Sequence, residues 1–242
     1  MTSVQQHYET FLADHYTWMC GDYDARVREN RIFFEELALH PHSGGKAIDL
    51  GCGSGFQSIA LAELGFKVVA VDQNERLLAE VRTRSRDLSI ETIAGDILNQ
   101  EIYRRRGRFE VAVCMGDTLT HLQSWQEIEN LFKNVHKVME DGGRFVLSFR
   151  DLTKKLVGLA RIVPLRLDDD KLMATFLEYD REFVNVHDML FVKKERGWEF
   201  KASSYCKLRI GLVQVTEQLE QTGFQTGSML VKGGLHYVEA RK

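Results

Sequence analysis

Residues 46–72 constrain what this chain can fold into more than any other stretch. The short apolar run Ala47, Ile48, Leu50 ends at Gly51, Gly53 and Gly55, which suits a parallel strand, buried on both faces, running into a tight turn. Ser54 stands where a helix N-cap is expected. Ile59, Ala60, Leu61, Ala62 and Leu64 then keep helical spacing up to Gly65, a C-terminal stop. Val68, Val69 and Val71 form a second buried strand that ends on an acid, Asp72. Such a βαβ unit binds a small ligand outside its strand ends. The plain alternative is a glycine turn that only joins strand to helix, and the terminal acid counts against it.

Two ligand classes compete for this unit, and glycine spacing separates them. A dinucleotide fold wants G-x-G-x-x-G, whose third glycine lets the helix pack closely beneath a pyrophosphate. Position 56 here is Phe. The run Asp49-Leu50-Gly51-Cys52-Gly53-Ser54-Gly55 instead resembles the first motif of class I S-adenosylmethionine-dependent methyltransferases. That resemblance implies S-adenosylmethionine as cofactor. It also implies a Rossmann-like α/β fold: a doubly wound, seven-stranded, mostly parallel sheet with a C-terminal antiparallel hairpin. On it, the bare backbone at Gly51, Gly53 and Gly55, with Cys52 between them, lets the methionine part approach, and Asp49 favours its ammonium. Asp72, with Gln73 beside it, would accept the ribose hydroxyls, although an acid there serves NAD equally well.

Strand and helix keep alternating after Asp72. Asn74 can cap a helix carrying Leu77, Leu78 and Val81, and residues 90–94 read as a short third strand followed by Gly95-Asp96-Ile97. In the resembling enzymes an acid after the third strand bonds the adenine amino group, which places Asp96 and Ile97 at the cofactor. Asp96 as a turn residue capping the next helix is the alternative. Residues 109–115 form a fourth strand, and the resemblance sets its last residue, Met115, at the cofactor too. An amphipathic helix over 125–139, a turn at Asp141-Gly142-Gly143 and a fifth strand over 144–149 follow.

Beyond Arg150 the pattern changes. Residues 152–163 suit a helix broken by Pro164, and Asp168-Asp169-Asp170 suits a solvated loop. Runs 175–184, 186–194 and 198–210 alternate in part and are separated by Asn185 and Gly197, which predicts an antiparallel meander. A helix over 213–222, stopped by Gly223, and a hairpin around Gly233-Gly234 close the chain. The expected organisation is a single domain. It comprises an N-terminal helical cap (1–45), a cofactor-binding core (46–150), an inserted segment covering the substrate (151–210), and a last helix and hairpin (211–242).

A narrower resemblance rests on Met19-Cys20-Gly21-Asp22, on Met115-Gly116-Asp117-Thr118-Leu119-Thr120-His121-Leu122 and on Ser148-Phe149-Arg150-Asp151. These segments look like their counterparts in glycine N-methyltransferase and related small-molecule enzymes. In that family a Gly-Asn pair ends the fourth strand, and an arginine after the fifth grips the substrate carboxylate. Arg150 matches the arginine, Asp117 replaces the asparagine, and Met19 replaces an N-terminal tyrosine. The added negative charge of Asp117 would favour an acceptor with a cationic or hydroxyl group over free glycine. Methyl transfer from an activated sulfonium needs alignment and exclusion of water more than a fixed catalytic group. Where the acceptor must lose a proton, Asp117 and His121 are the candidates, with Arg150 positioning substrate. The plain readings are a packed helix-entry histidine and an Arg150 ion pair with Asp117 or Asp151. Tyr16 and Trp18 can close over the cofactor or serve as core.

The remaining features narrow the function by exclusion. Four cysteines, far apart and without a C-x-x-C pair, suggest neither a disulfide framework nor a metal site. Reduced thiols, a polar N-terminus and the lack of a membrane-length apolar run lead us to expect a cytoplasmic protein without a membrane partner. A net charge of −3 gives no general pull toward phosphate backbones, so nucleic acid is not the expected partner. Arg104-Arg105-Arg106-Gly107-Arg108 reads as a solvated helix end, with an RNA contact as the alternative. His40-Pro41-His42 reads as a polar loop. Phe176, Tyr179, Phe183, Phe191, Trp198, Phe200 and Tyr205 suit an apolar pocket, a homodimer interface or plain core packing. The leading expectation is methyl transfer to nitrogen or oxygen of a small-molecule acceptor. RNA methylation and a non-catalytic cofactor-binding regulator are the other readings, and a dehydrogenase suffers from Phe56.

Overall fold

The computed structural model describes residues 2–242. One continuous helical segment opens it: α1 (Val4–His7), a π-helical turn (Tyr8–Leu12) and α2 (Ala13–Cys20). Helix α3 (Tyr23–Glu36) follows, its first turn capped by the Asp22 carboxylate accepting from the Ala25 N–H. The alternating part then runs β1 (Lys46–Leu50), α4 (Phe56–Glu63), β2 (Lys67–Asp72), α5 (Glu75–Arg84), β3 (Ile90–Ala94), α6 (Glu101–Arg104), β4 (Phe109–Cys114), α7 (Trp125–Val138) and β5 (Met139–Phe149). Four strands come next: β6 (Ile162–Leu167), β7 (Lys171–Tyr179), β8 (Phe183–Lys194) and β9 (Gly197–Leu208). Helix α8 (Leu212–Gln221) and the hairpin β10 (Gln225–Lys232) and β11 (Leu235–Arg241) end the chain.

Seven strands pair in the order β10-β11-β5-β4-β1-β2-β3, and β11 alone runs against its neighbours. Parallel sheets need cover on both faces, and alternate side chains divide the core accordingly. Ile48, Leu50, Ala112, Phe145 and Leu147 meet α7 and α8 through Leu131, Phe132, Val135 and Val215. Ala47, Val68, Val111, Val113 and Val146 meet α3 and α4 through Phe33, Phe34, Ile59 and Leu61. Fully burying one such Leu or Phe contributes about 1.5–3 kcal/mol, so truncating Phe132 or Phe145 would open the first layer. The buried face of α7 is Ile128, Leu131, Phe132, Val135 and Val138, with Ser124 capping the Glu127 N–H. The loop entering β1 is pinned by Glu110, whose carboxylate accepts from the backbone N–H groups of His42, Ser43 and Gly45. Burial pushes that carboxyl's pKa up, but these donors outweigh it and hold it below the ordinary value.

The doubly wound sheet and closing hairpin agree with the expectation, and several local readings change. Ser54 is not the N-cap of α4; Gly55 is, in a left-handed conformation (φ +88°) without a side-chain cap. Residues 152–163 hold no α-helix, because only a 3₁₀ turn at Gly158–Arg161 forms before β6 begins at Ile162. Pro164 lies inside edge strand β6, opposite Ala174 and at a register shift, the setting in which a strand tolerates a missing N–H. The meander therefore has four strands, in the order β6-β7-β8-β9. Its turn falls at 180–182 and not at Asn185, which pairs within both ladders. Asp141-Gly142-Gly143 lies within β5, whose pairing with β4 shifts register beside it. Among the described residues no helix is long and apolar enough to cross a membrane, and no cluster of His, Cys, Asp or Glu could hold a metal.

Candidate active site

The order of winding reverses between β1 and β4, so a crevice opens outside their carboxyl ends. The glycine turn after β1 forms its floor. Gly51 and Cys52 donate their N–H groups to Val71 O at 2.8 and 3.0 Å, which ties the turn to β2. At Gly51 (φ +77°) a Cβ would lie 2.4 Å from Thr118 Cγ2, so only glycine fits beneath that side chain. Thr118 in turn hangs its hydroxyl over Met115 O (3.1 Å). At Gly53 a Cβ would stand 3.1 Å from the Tyr16 ring. The N-terminal helical segment thus lies directly on the turn.

Asp72 closes the end of β2. Its Oδ2 accepts from Gly53 N–H and its Oδ1 from Asn74 N–H, both at 2.8 Å. A carboxylate has about four lone-pair sites, so each oxygen keeps capacity for one more donor, such as a ribose hydroxyl. Burial raises the Asp72 pKa, and the N–H donors of Asn74, Gly53 and Gln73 offset this only in part. Asp49 lies deeper, 1 % exposed, with Ser58 Oγ donating to it at 2.6 Å. Burial pushes its pKa up to about 7. Neither acid forms an ion pair among the described residues. Two buried carboxyls without a counter-cation, beside a turn kept bare at Gly51 and Gly53, fit a ligand bearing ammonium and sulfonium charge. They give a pyrophosphate no such reason to bind.

From Asp72 the crevice continues into a cleft of about 550 Å³ lined by Gln73, Asp96, Leu98, His121 and the N-terminal residues 2–5, within the usual range for a cofactor site. Asp96 accepts from Leu98 N–H at 2.9 Å, so it shapes its turn and still faces the cleft. Ile97, next in the chain, is buried, and so is Met115 after β4. Of the sequence-predicted cofactor residues, Gly51, Gly53 and Asp72 meet at the turn and Gln73 and Asp96 line the cleft, while Asp49 lies beneath the turn rather than on its surface.

At the β4 and β5 end, Arg150 Nε stands 3.2 Å from Asp117 Oδ2, as one plain reading supposed. Sequence reasoning missed Lys207, whose Nζ donates to the same oxygen at 2.7 Å from strand β9. Burial would raise the Asp117 pKa, but Lys207 and Arg150 prevail and hold it well below the ordinary carboxylate range. Asp117 is therefore a poor proton acceptor, and it presents no uncompensated negative charge. His121 Nε2 is buried without a hydrogen-bond partner; burial, then Lys207, lowers its pKa to about 3. Its ring lies edge-on to Tyr8 and Tyr205, each 5.8 Å away.

The anchor of the expected N-terminal cap was equally invisible. His7 is fully buried, stacked on Tyr205 at 4.2 Å. Its Nδ1 is 2.8 Å from Ser203 Oγ, and its Nε2 lies 3.1 Å from Asp188 Oδ2, off the hydrogen-bond direction. On the cofactor side Arg76 pairs with Asp14, and Thr17 donates to Glu80. The π-turn carries Tyr8 toward Tyr16 (ring centroids 6.0 Å), a distortion frequent at functional sites. Trp18 turns away from the cofactor crevice, its indole N–H donating to Asp168. In the arginine run, Arg104 pairs with Glu101, Arg106 with Glu91 and Arg108 with Asp141. Those partners favour the solvated reading. Phe191 packs on Phe200, while Trp198 and Phe200 stay about half exposed.

Comparison with known proteins agrees with this geometry. Residues 47–143 match the methyltransferase domain family. Glycine/sarcosine N-methyltransferase of Parasynechococcus marenigrum (strain WH8102) is 30% identical over 158 residues, covering 64% of this chain and 54% of the relative. The chain thus spans about half the length of that curated relative. Among solved structures, an S-adenosylmethionine-dependent methyltransferase from Clostridium acetobutylicum ATCC 824 superposes with a TM-score of 0.75 at 17% identity, covering 97% of this chain and 98% of its own. An amino pentose methyltransferase from Micromonospora echinaspora, solved with S-adenosylmethionine bound, gives 0.73 at 14%, covering 95% and 96%.

Proposed function

We propose that this chain, which carries a class I S-adenosylmethionine-dependent methyltransferase domain, transfers a methyl group to a nitrogen of a small-molecule acceptor. One observation carries the reading: the turn left bare at Gly51 and Gly53 is hydrogen-bonded to Asp72, and Gln73 beside that acid lines the cleft that reaches Asp96. Nitrogen is the favoured atom because the curated relative is an N-methyltransferase and the solved neighbour acts on an amino pentose.

When bound, the cofactor supplies a methyl group already activated on a sulfonium. The chain's own residues then have four tasks. Asp72, with both oxygens oriented by backbone N–H groups, takes the ribose hydroxyls, and Gln73, Asp96 and Ile97 form the adenine end. Asp49 and the turn of Gly51, Cys52, Gly53 and Gly55 hold the amino acid end, with Met115 at the wall. Arg150, Asp117 and Lys207 form the acceptor side. The helical strap, laid across the crevice by Tyr8 and Tyr16, excludes water during the transfer. His121, with a pKa near 3, accepts a hydrogen bond from an acceptor N–H through Nε2 but does not store its proton. The acceptor nitrogen accordingly arrives deprotonated. We read residues 1–45, 46–150, 151–210 and 211–242 as cap, core, substrate cover and closing hairpin of one unit.

Calorimetry with S-adenosylhomocysteine tests the cofactor site. Wild type binds it, and Asp72→Ala weakens binding by about 10–100-fold, the loss expected for a charged hydrogen-bonding partner. Absence of binding in wild type, or equal binding in Asp72→Ala, overturns the reading. Transfer of labelled methyl to a panel of primary and secondary amines then tests the chemistry.

A further inference from the structure

On the acceptor side, one acid lies between two cations drawn from distant parts of the chain. Asp117 follows β4, Arg150 follows β5, and Lys207 reaches in from β9 of the second sheet. The lysine is the better shielded: its side chain is 12% exposed, against 50% for Arg150. Its stem passes the buried ring of Tyr205, with Nζ 5.9 Å from the centroid. Arg150 spends its backbone N–H and its Nε on Asp117, while Nη1 and Nη2 make no hydrogen bond to the described residues. Gly234 lies under Nη1 without a side chain; a Cβ there would come within 3.4 Å. His121, its pKa lowered by burial, and Tyr205, its pKa raised by burial, are the neighbouring titratable groups, and both are neutral. Lys207 cancels Asp117, and the charge left over is that of Arg150, with its planar Nη edge open.

We infer that Lys207 is a specificity-determining residue: by neutralising Asp117 it turns the acceptor site from one without net charge into one that selects acceptors bearing an acidic group. This rests on the methyltransferase reading above and reverses the acceptor charge that Asp117 alone would suggest. A guanidinium edge held in place from behind binds a carboxylate or other planar acid in the bidentate manner. Without Lys207, Asp117 would pair with Arg150 alone. The cluster would then carry no net charge, and an amine without an acid would bind as well as one with it. Because the lysine comes from the second sheet, outside the span matched by the domain family, the cofactor half can stay unchanged while acceptor charge is set elsewhere.

The test uses paired probes, acetate and ethylammonium, titrated by NMR into protein saturated with S-adenosylhomocysteine and again into protein without it. Wild type binds acetate in preference to ethylammonium. Lys207→Met lowers the acetate preference by about tenfold or more, the Coulomb effect of one charge at close range. Lys207→Arg, which keeps the charge, retains it, and the double variant Lys207→Met with Asp117→Asn recovers it. In turnover with matched amines, Lys207→Met raises KM for the acid-bearing member and leaves S-adenosylhomocysteine affinity unchanged. Preference of wild type for ethylammonium, or an unchanged preference in Lys207→Met whose circular dichroism matches wild type, overturns the inference. Failure of S-adenosylhomocysteine to bind would instead sink the methyltransferase reading, and the difference between wild type and Lys207→Met in the cofactor-free titration, to which Asp49 and Asp72 contribute equally in both, still decides the inference.

Discussion

Replacing Asp49 by Asn offers the sharpest test of how the cofactor end works. The Asp49 carboxyl is 1 % exposed, accepts one hydroxyl and faces no cation, and burial moves its pKa from 3.8 to about 7. At 1.36 kcal/mol per tenfold change, ionising it in the folded chain costs up to about 4 kcal/mol relative to the unfolded chain. The sign follows from the raised value. The folded protein holds the proton more tightly, so this group's stabilising contribution is fully present below 3.8, falls as pH rises, and is exhausted above about 7. A ligand ammonium beside Asp49 reverses the preference by stabilising the carboxylate. Binding must then expel the proton that ligand-free protein retains below about pH 7. Calorimetry of S-adenosylhomocysteine near pH 6, in two buffers of different ionisation enthalpy, should therefore report release approaching one proton, and affinity should rise by up to about tenfold per pH unit before levelling. In Asp49→Asn this proton release disappears, and ligand-free protein melts higher than wild type near pH 8. Zero proton release by wild type, or equal release by both proteins, would refute the proposed meeting of ammonium and carboxyl.

Other substitutions probe the turn, the strap and the arginine run. Gly51→Ala should cost about 1–2 kcal/mol for the left-handed backbone and about 1–3 more for the contact with Thr118; adding Thr118→Ala returns only the second part, read by thermal melting. Equal losses in both backgrounds would show that Thr118 does not impose the glycine. His7→Ala removes the buried ring stacked on Tyr205 and its hydrogen bond with Ser203, at a cost of about 1–3 kcal/mol, and hydrogen exchange should quicken over residues 4–20 while β1 and β4 stay protected. Unchanged exchange in the strap would remove its assigned anchor. Arg104→Ala with Arg105→Ala should move stability by less than about 0.5 kcal/mol and leave retention on immobilised RNA at its wild-type level, whereas a salt-dependent loss of retention would revive an RNA contact.

The readable and unreadable parts of this chain differ in the range of the contacts that define them. Elements 46–149 were legible because each rests on a local rule: glycines where the backbone turns left-handed, Asn74 accepting from the N–H groups of Arg76 and Leu77, a 3.6-residue apolar stripe on α7. Residues 152–163 misled because Leu152, Leu156 and Leu159 are spaced like a helical face while the fold receives only Leu152, which packs on Val184, Val186 and Tyr205. Leu156 and Leu159 are 40% and 84% exposed, and the chain runs out as an irregular connector to β6. The turn placed at Asn185 failed for a related reason. A polar residue inside a strand reads as a break until its cross-strand partner, here Cys206, whose thiol donates to the Asn185 side chain at 3.3 Å, is known.

By itself the sequence determined a doubly wound sheet with a glycine turn, an acid at the end of β2 and a closing hairpin, and with them the resemblance on which the proposed cofactor rests. These follow from patterns within a few residues, where backbone sterics and strand or helix periodicity act. Only the tertiary structure decided what surrounds the acceptor. Asp117 reads as a free negative charge until Lys207, 90 residues later, is folded onto it, and His7 reads as an ordinary helical residue until Ser203, 196 residues later, meets its ring. Coulomb energy and burial depend on distance in space, and no local pattern carries that distance.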